Sequence, residues 1–271
     1  MSEVIGKAVK SGTSGASAMV VQVSSLMWLR TTMNYQYKNG GNFLGAFREL
    51  YGQGGMVRFY RGYMPALMIG PLSRFGDTAM NELVLVGLEG RDIPIFMKTG
   101  VASVMAGLWR VGMVPIDTWK TTKQVYGKDG MEILRGKMRV NGFGTLYQGA
   151  MASSLATMVG HYPWFLTYNY LNEILPKYSY RDDVMRALGR NAMIGFCASA
   201  MSDTVSNSVR VLKTVKQTSE ERIGYGDAFR QVVRKDGIRG LMFRGLETKI
   251  MTNGLQGIVF SVVWRYLSEN L

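Results

Sequence analysis

The sequence predicts an all-α membrane protein: six spanning helices, two in each of three repeats, with a short surface helix inside every repeat and no sheet. Three observations carry this reading. Charge-free stretches are long enough to enter a bilayer, the same local strings return about every ninety residues, and the excess positive charge is concentrated inside the repeats.

Residues 11–29 carry no Asp, Glu, Lys or Arg, nor do 140–172 or 250–264. The first stretch is long enough to cross as a helix, and the second can do so with a loop attached. Other candidate spans are interrupted by single charges at Arg74, Arg110 and Asp203. Such charges are costly against lipid and face a watery cavity or one another.

The repeat is read from aligned strings. RFYRGYMPAL around Gly62 returns as TLYQGAMASSL at Gly149 and LMFRGLETKI at Gly245, glycines 87 and 96 residues apart. Upstream lie Arg30-Thr-Thr-Met-Asn34, Lys120-Thr-Thr-Lys-Gln124 and Lys213-Thr-Val-Lys-Gln217, spaced by 90 and 93. At one register before these strings stand Gly12/Ala16, Ala102/Ala106 and Gly195/Ser199, small-xxx-small pairs that let helices approach closely in lipid. The repeats cover approximately 8–90, 97–176 and 188–271 of a single 271-residue domain. Within them, NFLGAFRELYG and YGDAFRQVVRKDG space their apolar residues as short amphipathic helices.

Loops 30–62, 117–149 and 210–249 hold 21 basic and 9 acidic residues, whereas linkers 82–98 and 173–190 hold 6 of each. One face of the bundle is therefore basic. It stays on the insertion side and attracts anionic lipid head groups.

Composition excludes several classes. One cysteine, Cys197, cannot form a disulfide framework, and with the single His161 it cannot build a metal site. One imidazole also serves nucleophilic catalysis poorly, so the chain is not read as an enzyme. A net charge of +13 invites a nucleic-acid reading, but the basic residues do not form stripes interleaved with aromatics.

Three ninety-residue repeats, the string PIDTWKTTKQ at 115–124, and an aromatic-x-Gly before each second helix resemble the mitochondrial carrier family over roughly residues 11–268. The resemblance implies a threefold pseudosymmetric six-helix barrel in the inner mitochondrial membrane. It also implies basic loops and surface helices on the matrix side, and cardiolipin held between repeats. Lipid phosphates would sit on backbone N–H groups after Gly62, Gly149 and Gly245, sound chemistry for a helix start.

Such carriers close a matrix gate with three acid–base pairs. Here repeat 2 has Pro115, Asp117 and Lys120; repeat 1 reads Ser25, Met27, Arg30 and repeat 3 reads Ser208, Arg210, Lys213. One acid then faces four bases, an arrangement that repels rather than locks. Bulky Met27, Trp28 and Trp119 are expected to plug the ring instead. At the opposite gate only Glu82 and Arg265 form a potential opposite-charge pair. The substrate-contact positions become Ile69, Ala156 and Thr252, none charged. Arg110 and Asp203 occupy equivalent places on the third and fifth spanning helices; they either pair with each other or grip a zwitterion or monocarboxylate, and Arg74 adds polarity nearby.

Two functions follow. The first is transport of a small, weakly charged metabolite by alternating access. The second is a transport-inactive carrier fold serving as a subunit of a larger inner-membrane complex. Neither requires a cofactor or metal; bound cardiolipin is expected with both.

Overall fold

The computed structural model describes the backbone of residues 2–87, 95–176, 178 and 184–270, and side chains over 20–73, 97–98, 100–176, 178, 185–259 and scattered positions in 76–87. Each repeat is long helix, short helix, long helix. The first contains α1 (Ser2–Asn39), α2 (Phe43–Gly52), the single turn α3 (Gly55–Phe59) and α4 (Tyr63–Gly87). The second contains α5 (Ile95–Tyr126), α6 (Gly130–Asn141), a 3-10 turn (Phe143–Tyr147) and α7 (Ala150–Ile174). The third contains α8 (Val184–Thr218), α9 (Tyr225–Phe243) and α10 (Leu246–Asn270). No strand occurs among the described residues.

Each long helix packs on the next, and α10 returns to α1, so the six close a circuit; α1, α5 and α8 also touch one another. The short helices dock on the circuit through a small residue and a larger one four positions later, one face of a helix. These are Ala46 and Leu50 in α2, Gly130 and Leu134 in α6, and Ala228 and Val232 in α9, all buried. In α2 they meet Tyr35 and Phe59, and in α9 they meet Tyr37, Val211 and Val215. Asn42 starts α2 by accepting the Gly45 N–H at 2.8 Å, a side-chain cap for an otherwise orphaned donor.

The long helices have 25–38 residues, more than the ~20 a bilayer requires. Nevertheless, among the described residues no helix is long and apolar enough to cross a membrane. The distribution of polarity explains this departure from the expected six apolar spans. Ser103, Asp117, Thr118 and Thr121 of α5 are buried, as are Ser202, Asp203, Ser206, Asn207 and Thr214 of α8. The exposed side of α5 instead carries Met97, Val101, Val104 and Leu108; that of α8 carries Met193, Met201 and Val205. Polar residues thus line the inside and apolar residues the outside, and hydropathy averaged around such a helix falls although one face remains apolar.

Gly62, Gly149 and Gly245 stand at the starts of α4, α7 and α10 with φ of +85°, +85° and +64°, a region that disfavours side chains. Each carbonyl accepts the first helical hydrogen bond, at 3.1, 2.8 and 2.9 Å from Ala66, Ser153 and Lys249. Each glycine also abuts the first helix of the following repeat. A Cβ at Gly62 would lie 2.9 Å from the Lys120 carbonyl oxygen, and one at Gly149 would lie 2.9 Å from Cγ of Gln217. At Gly245 the neighbours are Tyr37 and the Met33 carbonyl, three residues beyond the matching register in α1.

Gly149→Ala is accordingly expected to lower stability by about 1–3 kcal/mol through backbone strain, with the Gln217 overlap adding to it. Gly144→Ala, where nothing lies within 4 Å of the new carbon, should be nearly neutral. Thermal unfolding of both variants tests the pair; equal midpoints would refute the close-approach argument.

Candidate functional site

The buried end of α5 carries the one acid of the expected gate. Asp117 Oδ1 is 2.5 Å from Lys120 Nζ on the same helix, and Oδ2 is 2.5 Å from Lys213 Nζ on α8. Gln217 Nε2 also donates to Oδ2 at 3.4 Å. The carboxylate therefore links repeats 2 and 3 ionically.

The other junctions are made differently. Met27 occupies the position of Asp117 in α1, fully buried against Val23 and Ala66. The α1–α5 contact is neutral: Asn34 Nδ2 donates to Gln124 Oε1 at 2.5 Å, and Gln124 Nε2 lies 3.7 Å from the Met27 sulfur. Arg30 turns toward α10, where Nη2 and Nε lie 2.7 and 3.0 Å from the Gln256 amide oxygen once that amide is oriented to accept. Arg210 donates to Ser206 at 3.1 Å and lies 3.6 Å from Asp203.

These contacts correct the picture of four bases crowding one acid. Among the described residues only Lys120 and Lys213 share Asp117, while Arg30 and Arg210 meet partners on α10 and α8. The plug is corrected likewise. Met27 is interior, but Trp28 packs against Phe43 and Phe47 of α2, and Trp119 lies beneath Lys123. The expected Arg110–Asp203 pair does not form. Asp203 is engaged by Arg210 and accepts from Asn253, while Arg110 donates to Ser73 at 3.0 Å.

A cavity of about 140 Å³ opens beside this gate. Helix α5 contributes Arg110, α7 contributes Ser153, Ala156 and His161, and α8 contributes Ser202, Arg210 and Lys213. His161 Nδ1 is 3.0 Å from the Ser103 hydroxyl. Ser202 donates to the Gly160 carbonyl at 2.7 Å, drawing α8 against α7. Of the three contact positions, Ala156 lines the cavity; Ile69 and Thr252 are buried elsewhere, and the Thr252 hydroxyl bonds back to Thr248. The side chains of Arg74, Glu82 and Arg265 lie outside the described residues.

A second set of cations was not apparent from the repeat alignment. Arg58 donates to the Gln124 and Val125 carbonyls at 2.8 and 2.7 Å, closing the end of α5. Lys137 donates to the Gln217 carbonyl at 3.1 Å, near the end of α8. Arg244 donates to the Lys38 carbonyl at 3.2 Å, at the end of α1. Each buried cation comes from one repeat and meets the orphan carbonyls of the next, where the helix dipole favours positive charge. The three stand four, twelve and one residues before their glycines, so no common motif marks them.

The family model described as mitochondrial carrier protein matches residues 94–179 and again 186–271. The chain belongs to the mitochondrial carrier family. Two separate matches to one model make repetition of the carrier unit explicit. A mitochondrial carrier-like protein of Acanthamoeba polyphaga mimivirus is 24% identical over 165 residues, 60% of this chain and 65% of that relative. Members of the family are transporters rather than enzymes, and membership implies an inner mitochondrial membrane location.

Two outcomes follow for this carrier. Asp117→Asn leaves two half-buried lysines without their carboxylate and should cost about 1–3 kcal/mol; adding Lys213→Met should recover part of the loss of thermal stability. Burial, reinforced by Lys38, pushes the Lys137 amine down to about 8 from 10.5. Between those values the unfolded chain binds the additional proton, so stability rises with pH. Relative to Lys137→Met, the carrier should gain on the order of 1–2 kcal/mol between pH 7.5 and 9.5, measured by unfolding at both values. A fall over that window would contradict the assignment.

Proposed function

We propose that this carrier moves a small, weakly charged metabolite across the inner mitochondrial membrane by alternating access. The observation that carries this reading is the cavity shared by α5, α7 and α8, bordered by Lys213, the residue that also closes the gate on Asp117. Loss of that ion pair would release α5 from α8 on the gate side and expose the cavity there. We take the within-repeat loops to face the matrix, since they hold nearly all the excess positive charge. Acidic phospholipid, cardiolipin above all, fits the starts of α4, α7 and α10, and the long helices are read as a threefold pseudosymmetric barrel.

A second reading has its own support. Met27 replaces the acid of repeat 1, and Arg30 and Arg210 are drawn away from Asp117, so fewer ionic links hold the gate than three complete pairs would supply. On this reading the protein is a transport-inactive subunit of a larger inner-membrane assembly.

Uptake into liposomes by the purified chain separates the two readings. Transport predicts solute exchange from a metabolite panel, reduced more than tenfold by Arg110→Ala with assembly unchanged. No exchange of any panel member, together with co-purification in a stable complex, would establish the subunit reading instead.

A further inference from the structure

We infer that the outward face of α9 is a docking site for an extended acidic segment of a partner protein, seated in the cleft that Arg230, Gln231, Arg234 and Lys235 line together with Asp227. The inference does not depend on whether the carrier transports. Charge, shape and the chemistry of the face point to that partner.

The three short helices occupy equivalent places in their repeats but differ in charge. Helix α2 carries Arg48 and Glu49, which cancel. Helix α6 carries Glu132, Arg135, Lys137 and Arg139, of which Lys137 is buried on the Gln217 carbonyl. Helix α9 exposes Arg230, Arg234, Lys235 and Arg239 and has two acids of its own. Asp236 is committed to the buried Arg244 at 2.7 Å. Asp227 lies 3.7 Å from Arg230 with both side chains more than half exposed, a pair that water weakens. Among the described residues Arg234, Lys235 and Arg239 have no carboxylate within ion-pair distance. Packing requires none of these cations, since α9 docks through Ala228 and Val232.

The cleft measures about 490 Å³. Its lining residues recur at helical spacing along one side of α9, over roughly 12 Å at 1.5 Å per residue. Arg230 and Arg234 stand one turn apart, about 6 Å along the axis. Alternate side chains of an extended chain leave one face about 6.6 Å apart, so carboxylates at alternate positions meet both guanidiniums. Arginine forks bind carboxylates bidentately. Gln231 beside them offers a donor and an acceptor to the peptide backbone.

Two other polyanions suit the face less well. Single-stranded RNA binds on aromatic platforms, and none of the lining residues is aromatic. A helix at a membrane interface buries its apolar face. Phe229, which α9 exposes before its kink at Gly237, is turned roughly 100–160° from the lining residues. With Phe229 against lipid, the cleft opens to water.

The test is fluorescence anisotropy of a labelled peptide of alternating glutamate and alanine, titrated with the purified full-length carrier in uncharged detergent at low salt. The peptide should bind saturably, and about fivefold more weakly to Arg230→Gln/Arg234→Gln, the scale of two exposed ion pairs. Arg135→Gln/Arg139→Gln on α6 should bind as the unmodified carrier does. Arg230→Glu/Arg234→Glu should lose the glutamate peptide and gain one of alternating lysine and alanine. Lys235→Gln alone, a single exposed change, should weaken binding about twofold and serves if a double variant does not fold. Binding unchanged in the α9 variants, or lost equally in the α6 variant, overturns the site. Displacement of the labelled peptide by oligouridylate, or by a short-chain phosphatidylglycerol, at a lower concentration than by unlabelled peptide overturns the assignment to a protein segment.

Discussion

A carboxylate between two lysines in a protein interior is stable only as a group. Asp117, 6% exposed, sets that condition for the carrier. Removing the acid would leave two partly buried cations without their counter-charge; removing Lys213 would leave the acid with Lys120 alone. The pair to Lys120 lies within α5 and links nothing, so the pair to Lys213 is the one that couples two repeats. Gln217, one turn beyond Lys213, adds an amide to the same carboxylate and approaches the Thr118 hydroxyl at 3.3 Å. Its methylene stem lies where a side chain at Gly149 would have to go. Gate, helix contact and the start of α7 therefore depend on one another through a single turn of α8.

Around that point α5 and α8 bury many polar side chains beside apolar ones and turn a row of apolar side chains outward. Burial of polar side chains is tolerated because most of them have partners close by. Thr31 donates to the Phe59 carbonyl at 2.6 Å, Thr118 to the Leu146 carbonyl at 2.8 Å, and Asn207 to the Met242 carbonyl at 2.8 Å. Each acceptor stands three residues before a repeat glycine, although the donors come from different turns of their helices. Equivalent backbone needs are met by non-equivalent side chains. This latitude lets the repeats diverge without loss of the helix-to-helix contacts.

The gate shows the same divergence with a different result. Where repeat 1 has Met27, an apolar side chain fills the space of an acid and packs on Ala66. The Asn34–Gln124 contact then supplies the polar link, without the long reach of a charge. A neutral junction and an ionic one therefore sit side by side. Arg58, Lys137 and Arg244 hold the helix ends independently of both, since they bind backbone carbonyls rather than the gate side chains.

The long–short–long helix pattern and the glycines at the starts of α4, α7 and α10 were legible in the sequence. Periodicity and repetition record local requirements: a left-handed φ at Gly62 demands glycine wherever the unit recurs. Partner choice was not legible. Asp203 took Arg210 and Asn253 instead of Arg110, and Arg30 went to Gln256, because reach and direction across packed helices are set by their axial register, and alignment carries no measure of it. The helix-capping cations escaped for the same reason, lying at different distances from their glycines. The expected apolar spans are not met among the described residues, because α5 and α8 carry polar side chains on the side that packs, and only the packed circuit decides which side that is. The sequence by itself determined which segments become helices and where they turn. The tertiary structure decided which charges meet, because an ion pair depends on a few ångströms that no linear spacing records.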